Sequence, residues 1–151
     1  MTLYSAMLFA HLLAAVAWVG GMIFALFCLR PAAIAILPPP QRIPLMHAAL
    51  GRFFSIVILA IAVIIATGVT MIVSVGMKNM PLTWMWMMLL GGVMIAIFFY
   101  LRAAPFRRLA RCISAEDWPV AARQLEQIRF GVMLNLAIGL SIIALMKLGP
   151  V

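Results

Sequence analysis

Charged residues are scarce in this chain, and acidic ones are nearly missing. Of its 151 residues only 9% are charged, three of them acidic, whereas 68% are hydrophobic. Soluble domains are roughly half apolar and a quarter charged, so the composition excludes an ordinary soluble domain. The three acidic residues, Glu116, Asp117 and Glu126, fall in one short stretch, and the rest of the chain has no carboxylate for acid–base catalysis.

Cysteine and histidine are equally rare, with Cys28, Cys112, His11 and His47 as the full set. Both cysteines lie at span ends that are expected to face the cytoplasm, where structural disulfides are rare. We expect them to be free, buried thiols. No nucleophile–base pair and no phosphate-binding loop is recognisable, which favours a protein that is not an enzyme.

Long apolar runs are what the chain has in abundance. Four continuous runs are long enough to cross a bilayer, and they lack the alternation of a membrane β-barrel. We predict an all-α membrane protein, a four-transmembrane-helix antiparallel bundle that forms one integral domain over 1–151. The spans are expected at about 3–29, 44–75, 82–103 and 118–148, the last with a cytoplasmic extension.

The basic residues are distributed unevenly between the connections. Nine arginines flank the first and third connections, while Lys78 and Lys147 are the only basic residues at the opposite ends of the spans. The positive-inside rule then predicts a multi-pass protein of the plasma (bacterial inner) membrane with both termini in the periplasm. The net charge of +8 therefore indicates topology and contact with anionic lipid headgroups at the cytoplasmic face, and not nucleic-acid binding.

Helix boundaries are indicated by proline and by capping residues. The run Pro38–Pro40 cannot continue a helix, so the second helix is expected to start near Ile43 or Pro44. The short second connection predicts that helices two and three are antiparallel neighbours. "SAED" predicts a new helix start, with Ser114 or Asp117 as its cap.

An ionisable residue, His11, lies inside the first apolar run. On a helix, small residues and a tryptophan share its face, whereas the bulky aliphatic residues mostly lie elsewhere. That face is expected to point into the bundle: Met7, His11, Ala14, Trp18, Gly21, Ala25 and Cys28. A buried ionisable group in a membrane suggests a function, although a neutral histidine bonded to a neighbouring helix is the simpler alternative.

Methionines are concentrated at the depth of His11. The stretch "MKNMPLTWMWMM" lies at the same end of the spans, and imidazole with thioether is a donor set that suits Cu(I) or one side of a haem. His47 lies at the far end of the second helix, roughly 20 Å or more away, so it cannot share an ion with His11 in one chain. The predicted metal ligands are His11, Met7, Met71, Met85 and Met88. An alternative is that these methionines are ordinary apolar filling.

Other residues are expected to support this site by packing. Trp18 and Gly21 continue the face of His11 toward the cytoplasm. Asn135 lies between Gly131 and Gly139 on the last helix, a pattern that predicts close helix packing with an interhelical hydrogen bond.

The opening "HLLAAVAWVGGMIFALFCLRPA" resembles the start of copper resistance protein D (CopD) family members, and "LGRFF", "EDWPVAARQLEQIR" and "MLNLAIG" resemble later segments of their small four-helix forms. The resemblance implies copper binding or copper homeostasis through His11. The arrangement is also similar to the HemJ family, which implies instead a b-type haem with His11 as axial ligand and a redox function. A third interpretation is an accessory membrane subunit without ligand. A homodimer or a membrane complex is compatible with each.

Overall fold

The structure, a computed structural model, describes residues 3–76 and 80–148. Every regular element in these two ranges is helical: six α-helices and one π-helical turn. Four helical stretches are long and apolar enough to cross a membrane: Leu3–Ile36, Pro39–Val75, Leu82–Ser114 and Trp118–Leu148. The predicted all-α, four-span fold is confirmed, and the chain is a multi-pass membrane protein.

The first span is interrupted by a wide turn. Helix α1 (Leu3–Phe24) passes into a π-helical turn, Ala25–Leu29, and continues as α2 (Arg30–Ile36). A π turn holds an extra residue, which rotates the face that follows it. Ala14 and Trp18 are buried, as predicted for the face that points into the bundle. Cys28, which was predicted on the same face, follows the start of the π turn and is exposed. Both cysteines are free, and the expectation that both are buried was wrong.

Proline starts the second span earlier than expected. Helix α3 (Pro39–Val75) begins before the predicted Ile43 or Pro44, with Pro38 as its extended cap. Nitrogens in the first turn have no partner within the helix, so the missing N–H of proline costs nothing there. The consecutive prolines therefore end α2 and begin α3.

A short helix replaces the predicted polar connection after the third span. Helix α4 (Leu82–Ala103) ends just before Ala104, and α5 (Pro105–Ser114) begins at the next residue. Helix α6 (Trp118–Leu148) follows, and the Asp117 carboxylate accepts the Val120 N–H at 3.3 Å. Of the two predicted caps, Asp117 is therefore the one used.

Helix α6 is central to the bundle. It packs against α1, α3, α4 and α5, and the strongest other pairing is α1 with α3. A Cβ added to Gly131 of α6 would lie 2.6 Å from Leu101 Cδ2 of α4, so a larger residue here would force the Leu101 side chain to move. In the described ranges α3 and α4 make no substantial backbone contact. These predicted antiparallel neighbours meet instead through large side chains, such as Phe54 and Phe98.

The bundle is closed by an aromatic cluster in its arginine-rich half, the half nearer α5. Phe54 lies 5.3 Å from Phe98 and 5.0 Å from Phe106 between ring centroids, and Trp18 lies 6.1 Å from Phe98, all edge to face. Phe54 is 1% exposed. Edge-to-face rings add specific packing to the contact area. The opposite half, where α1 and α4 begin, is termed the His11 end below.

Candidate metal-binding site at the His11 end

A hydrogen bond joins His11 of α1 to Thr67 of α3. The distance from His11 Nδ1 to Thr67 Oγ1 is 2.8 Å. Thr67 is 5% exposed and His11 is half-buried. The imidazole is therefore turned toward α3 and away from the acyl chains, as the small-residue face predicts.

Glycine makes room for the imidazole on α3. A Cβ added to Gly68 would lie 3.7 Å from His11 Cε1, the ring carbon between the two nitrogens. Farther along the same interface Gly21 of α1 meets the ring of Phe53 of α3. Contacts between 11 and 67–68 and between 21 and 53 show that α1 and α3 run antiparallel in one continuous interface.

Two of the predicted sulfur ligands flank His11 in this interface. Met7 precedes His11 by one helical turn, and Met71 follows Thr67 by one turn. Since α1 and α3 are antiparallel, both methionines lie one turn farther toward the His11 end, one on each helix. Met71 is 5% exposed and Met7 is half-buried.

The other two predicted sulfur ligands lie apart. Met85 and Met88 are on α4, where they are 51% and 44% exposed. Helix α4 packs against α6 and α5, and its backbone makes no substantial contact with α1 or α3 in the described ranges. Helical spacing thus places Met7 and Met71 one turn from the contact of His11 with Thr67, whereas Met85 and Met88 lie on another helix. Met77, in the same methionine-rich stretch, lies outside the described residues.

The available donors suit a soft ion. Within residues 3–76 and 80–148, no three side chains of the His, Cys, Asp or Glu type come together in a way that could hold a metal. The donors near His11 are therefore one imidazole and thioethers, a set that fits Cu(I) and does not fit zinc or a hard cation.

The chain matches the protein-family model "CopD: Copper resistance protein D" over residues 47–148, about two thirds of its length. The chain belongs to the CopD family. No curated protein and no solved structure matches it. The similarity to the HemJ family stays a prediction.

The CopD match covers only part of the candidate site. Thr67, Met71 and Asn135 lie inside the matched range, whereas Met7 and His11 lie before it. Family membership thus supports a copper-resistance-type membrane protein. The role of His11 depends on the geometry.

The supporting residues of this CopD chain lie deeper in the bundle than His11. Trp18 is 4% exposed and packs on Phe98. Asn135 is 2% exposed, and its amide nitrogen donates to the Met94 carbonyl of α4 at 3.0 Å. The Asn135 hydrogen bond joins α6 to α4, so Asn135 holds the second pair of spans together and does not contact His11.

Charged groups at the arginine-rich end form a separate network. Glu126 of α6 accepts hydrogen bonds from Arg30 of α2 and from Arg129, the latter at 2.7 Å. This pairing ties the first span to the last. His47 stacks on Phe106 of α5 with 4.5 Å between centroids, so the second histidine serves packing at this end and does not belong to the His11 site.

Thr67 is the site residue that the sequence did not reveal. Thr67 reads as an ordinary membrane threonine that bonds its own helix, which it also does. The alignment of α1 with α3 could have revealed it. If Gly21 is placed opposite Phe53 and the two helices are antiparallel, His11 lies opposite residues 63–67.

Proposed function

We propose that this CopD-family protein binds Cu(I) at the His11 end, with the His11 imidazole as central ligand and the Met7 and Met71 thioethers as soft partners. The observation that supports it most is the placement of His11, hydrogen-bonded to Thr67 in an interface where each helix contributes a methionine one turn away. Copper is the cargo that the protein holds for transfer or storage.

The bonding partners of His11 support a ligand role over a purely structural one. A histidine that serves only to join helices needs one hydrogen bond, which His11 Nδ1 makes with Thr67 Oγ1. Metal-binding histidines typically have one nitrogen held by such a partner and the other on the metal. Met85 and Met88 are exposed on α4 at the same end. In this proposal their thioethers contact the ion outside the interface between α1 and α3.

Titration of the purified wild-type protein with Cu(I) under anaerobic conditions tests this proposal. We expect a colourless protein that takes up one Cu(I) per chain, and the uptake should be lost when Met7 and Met71 are both replaced by leucine. Leucine keeps the apolar volume and removes the sulfur donors. The double variant Met85→Leu/Met88→Leu is the matched control and should keep stoichiometric uptake with only a modest loss of affinity.

Other outcomes distinguish the alternatives. One Cu(I) per two chains would place the ion between two copies of the protein. A Soret band in the purified protein would support the b-type haem interpretation. A protein with neither copper uptake nor haem would contradict the proposal and leave an accessory membrane subunit.

We also propose that the arginine-rich end faces the cytoplasm and binds anionic lipid headgroups. Helix α5 buries Pro105 and Leu109 against the bundle and exposes Arg107, Arg108 and Arg111. None of these three arginines takes part in an ion pair within the described ranges. A short helix at the end of two spans, apolar inside and cationic outside, has the form of an interfacial lipid-binding element.

Stabilisation by added lipid tests the headgroup proposal. Phosphatidylglycerol should raise the thermal unfolding midpoint of the detergent-solubilised protein, and zwitterionic phosphatidylcholine should not. Replacing Arg107, Arg108 and Arg111 by glutamine should remove most of the difference, since each surface arginine contributes about 1 kcal/mol to binding an anionic surface. An equal shift in the variant would contradict the assignment to α5.

A further inference from the structure

We infer that Thr67 is a positioning residue that fixes the tautomer of His11, so that Nδ1 carries the proton and Nε2 presents its lone pair to the ion. This inference rests on the proposed copper function for its purpose, but the tautomer itself is a property of the metal-free protein.

The argument begins with the single proton of the Thr67 hydroxyl. Its oxygen lies 2.6 Å from the Val63 carbonyl, 3.2 Å from the Ile64 carbonyl and 2.8 Å from His11 Nδ1. A hydroxyl donates one hydrogen bond and accepts through two lone pairs. The shortest contact, to the Val63 carbonyl, can only be a donation because a carbonyl oxygen has no proton to give.

With its proton committed to Val63, the Thr67 oxygen can only accept from His11. Nδ1 must therefore carry the hydrogen. Inside the hydrocarbon region of a membrane no water is available to replace this bond, so the Thr67 oxygen keeps Nδ1 as its donor.

The consequence for the other nitrogen follows from the chemistry of imidazole. A neutral ring with hydrogen on Nδ1 has an unprotonated Nε2, which is the form that binds a metal. Free imidazole must select this tautomer at each binding event, whereas Thr67 selects it in advance. Partners that orient a metal-binding histidine typically contribute about 10–100-fold to metal affinity.

Nitrogen NMR of protein labelled with ¹⁵N-histidine measures the tautomer directly, with the His11 signals assigned by their loss in His11→Ala. In the metal-free wild type at neutral pH we expect a protonated Nδ1 and an unprotonated Nε2. Thr67→Val, which keeps the branched shape without the hydroxyl, should shift His11 toward the Nε2–H tautomer and lower Cu(I) affinity about 10–100-fold. Thr67→Ser should restore both.

Thr70→Val is the matched control. The Thr70 hydroxyl also donates to its own helix, to the Ala66 carbonyl at 2.8 Å, but it is exposed and away from His11. This variant should leave the tautomer and the affinity unchanged.

The inference is overturned if wild-type His11 carries its proton on Nε2, or if Thr67→Val leaves the tautomer unchanged. The wild-type spectrum decides the first point even if Thr67→Val does not fold. If the expected tautomer is found but the wild type takes up no Cu(I), the proposed function fails while the role of Thr67 in setting the tautomer stands.

Discussion

His11→Ala is expected to lower the affinity for Cu(I) by more than about 100-fold, since losing the orienting partner of a metal-binding histidine already costs about 10–100-fold. Alanine removes the nitrogen donor of the proposed site and leaves the Met7 and Met71 thioethers, which lie one helical turn away. The remaining thioethers are neutral and bind the ion more weakly than an imidazole does. Competition against a chromophoric Cu(I) chelator, in detergent and without oxygen, measures the change.

His47→Ala is the control for this experiment because it removes the other histidine of the chain. His47 stacks on Phe106 at the opposite end of the bundle, so its loss should leave the copper affinity within about threefold while lowering stability by the lost ring contact, about 0.5–1.5 kcal/mol. Equal losses of affinity in both variants would show that uptake is nonspecific. Full uptake by a folded His11→Ala protein would refute the ligand assignment.

Phe54→Ala should have the largest effect on folding, about 3 kcal/mol. Phe54 is 1% exposed and its ring meets Phe98 of α4 and Phe106 of α5. That value is the lower end of the range for Phe→Ala in soluble cores, because lipid is as apolar as the interior and only packing and cavity terms remain. Reversible unfolding in mixed micelles, followed by circular dichroism, gives the free energy.

Phe130→Ala provides the matched comparison. Phe130 lies on α6 and is 67% exposed, so its ring faces lipid and not the helices. The same chemical change should therefore alter the free energy of unfolding by less than about 0.5 kcal/mol. Similar losses in both variants would mean that Phe54 does not hold the helices together.

The sequence predicted the elements of the fold better than their arrangement. Length and hydropathy determine that four apolar runs must become helices, because a bilayer leaves the backbone no other way to satisfy its hydrogen bonds. Which helices pack closely depends on whether a glycine on one helix lies opposite a bulky side chain on another. Gly131 against Leu101 brings α4 to α6, and no property of the short second connection reveals that α3 and α4 meet through side chains such as Phe54 and Phe98.

The candidate site was predictable on one helix only. The face of His11 follows from the spacing of small residues on α1, and the structure turns that face to α3. The partner on α3 depends on the register between two helices, which the proline-rich connection does not define. The π turn at Ala25–Leu29 was equally hidden, since "ALFCL" contains neither glycine nor proline.

The pairing of α1 with α3 bears on how the protein is made. His11, Thr67 and both flanking methionines are encoded before residue 77, and chains emerge from the ribosome from the amino terminus onward. The nascent first half can therefore give the imidazole its hydrogen-bonding partner while the second half is still being translated. The His11 imidazole would then lack a hydrogen-bonding partner in the hydrocarbon only during the interval between insertion of the first span and insertion of the second.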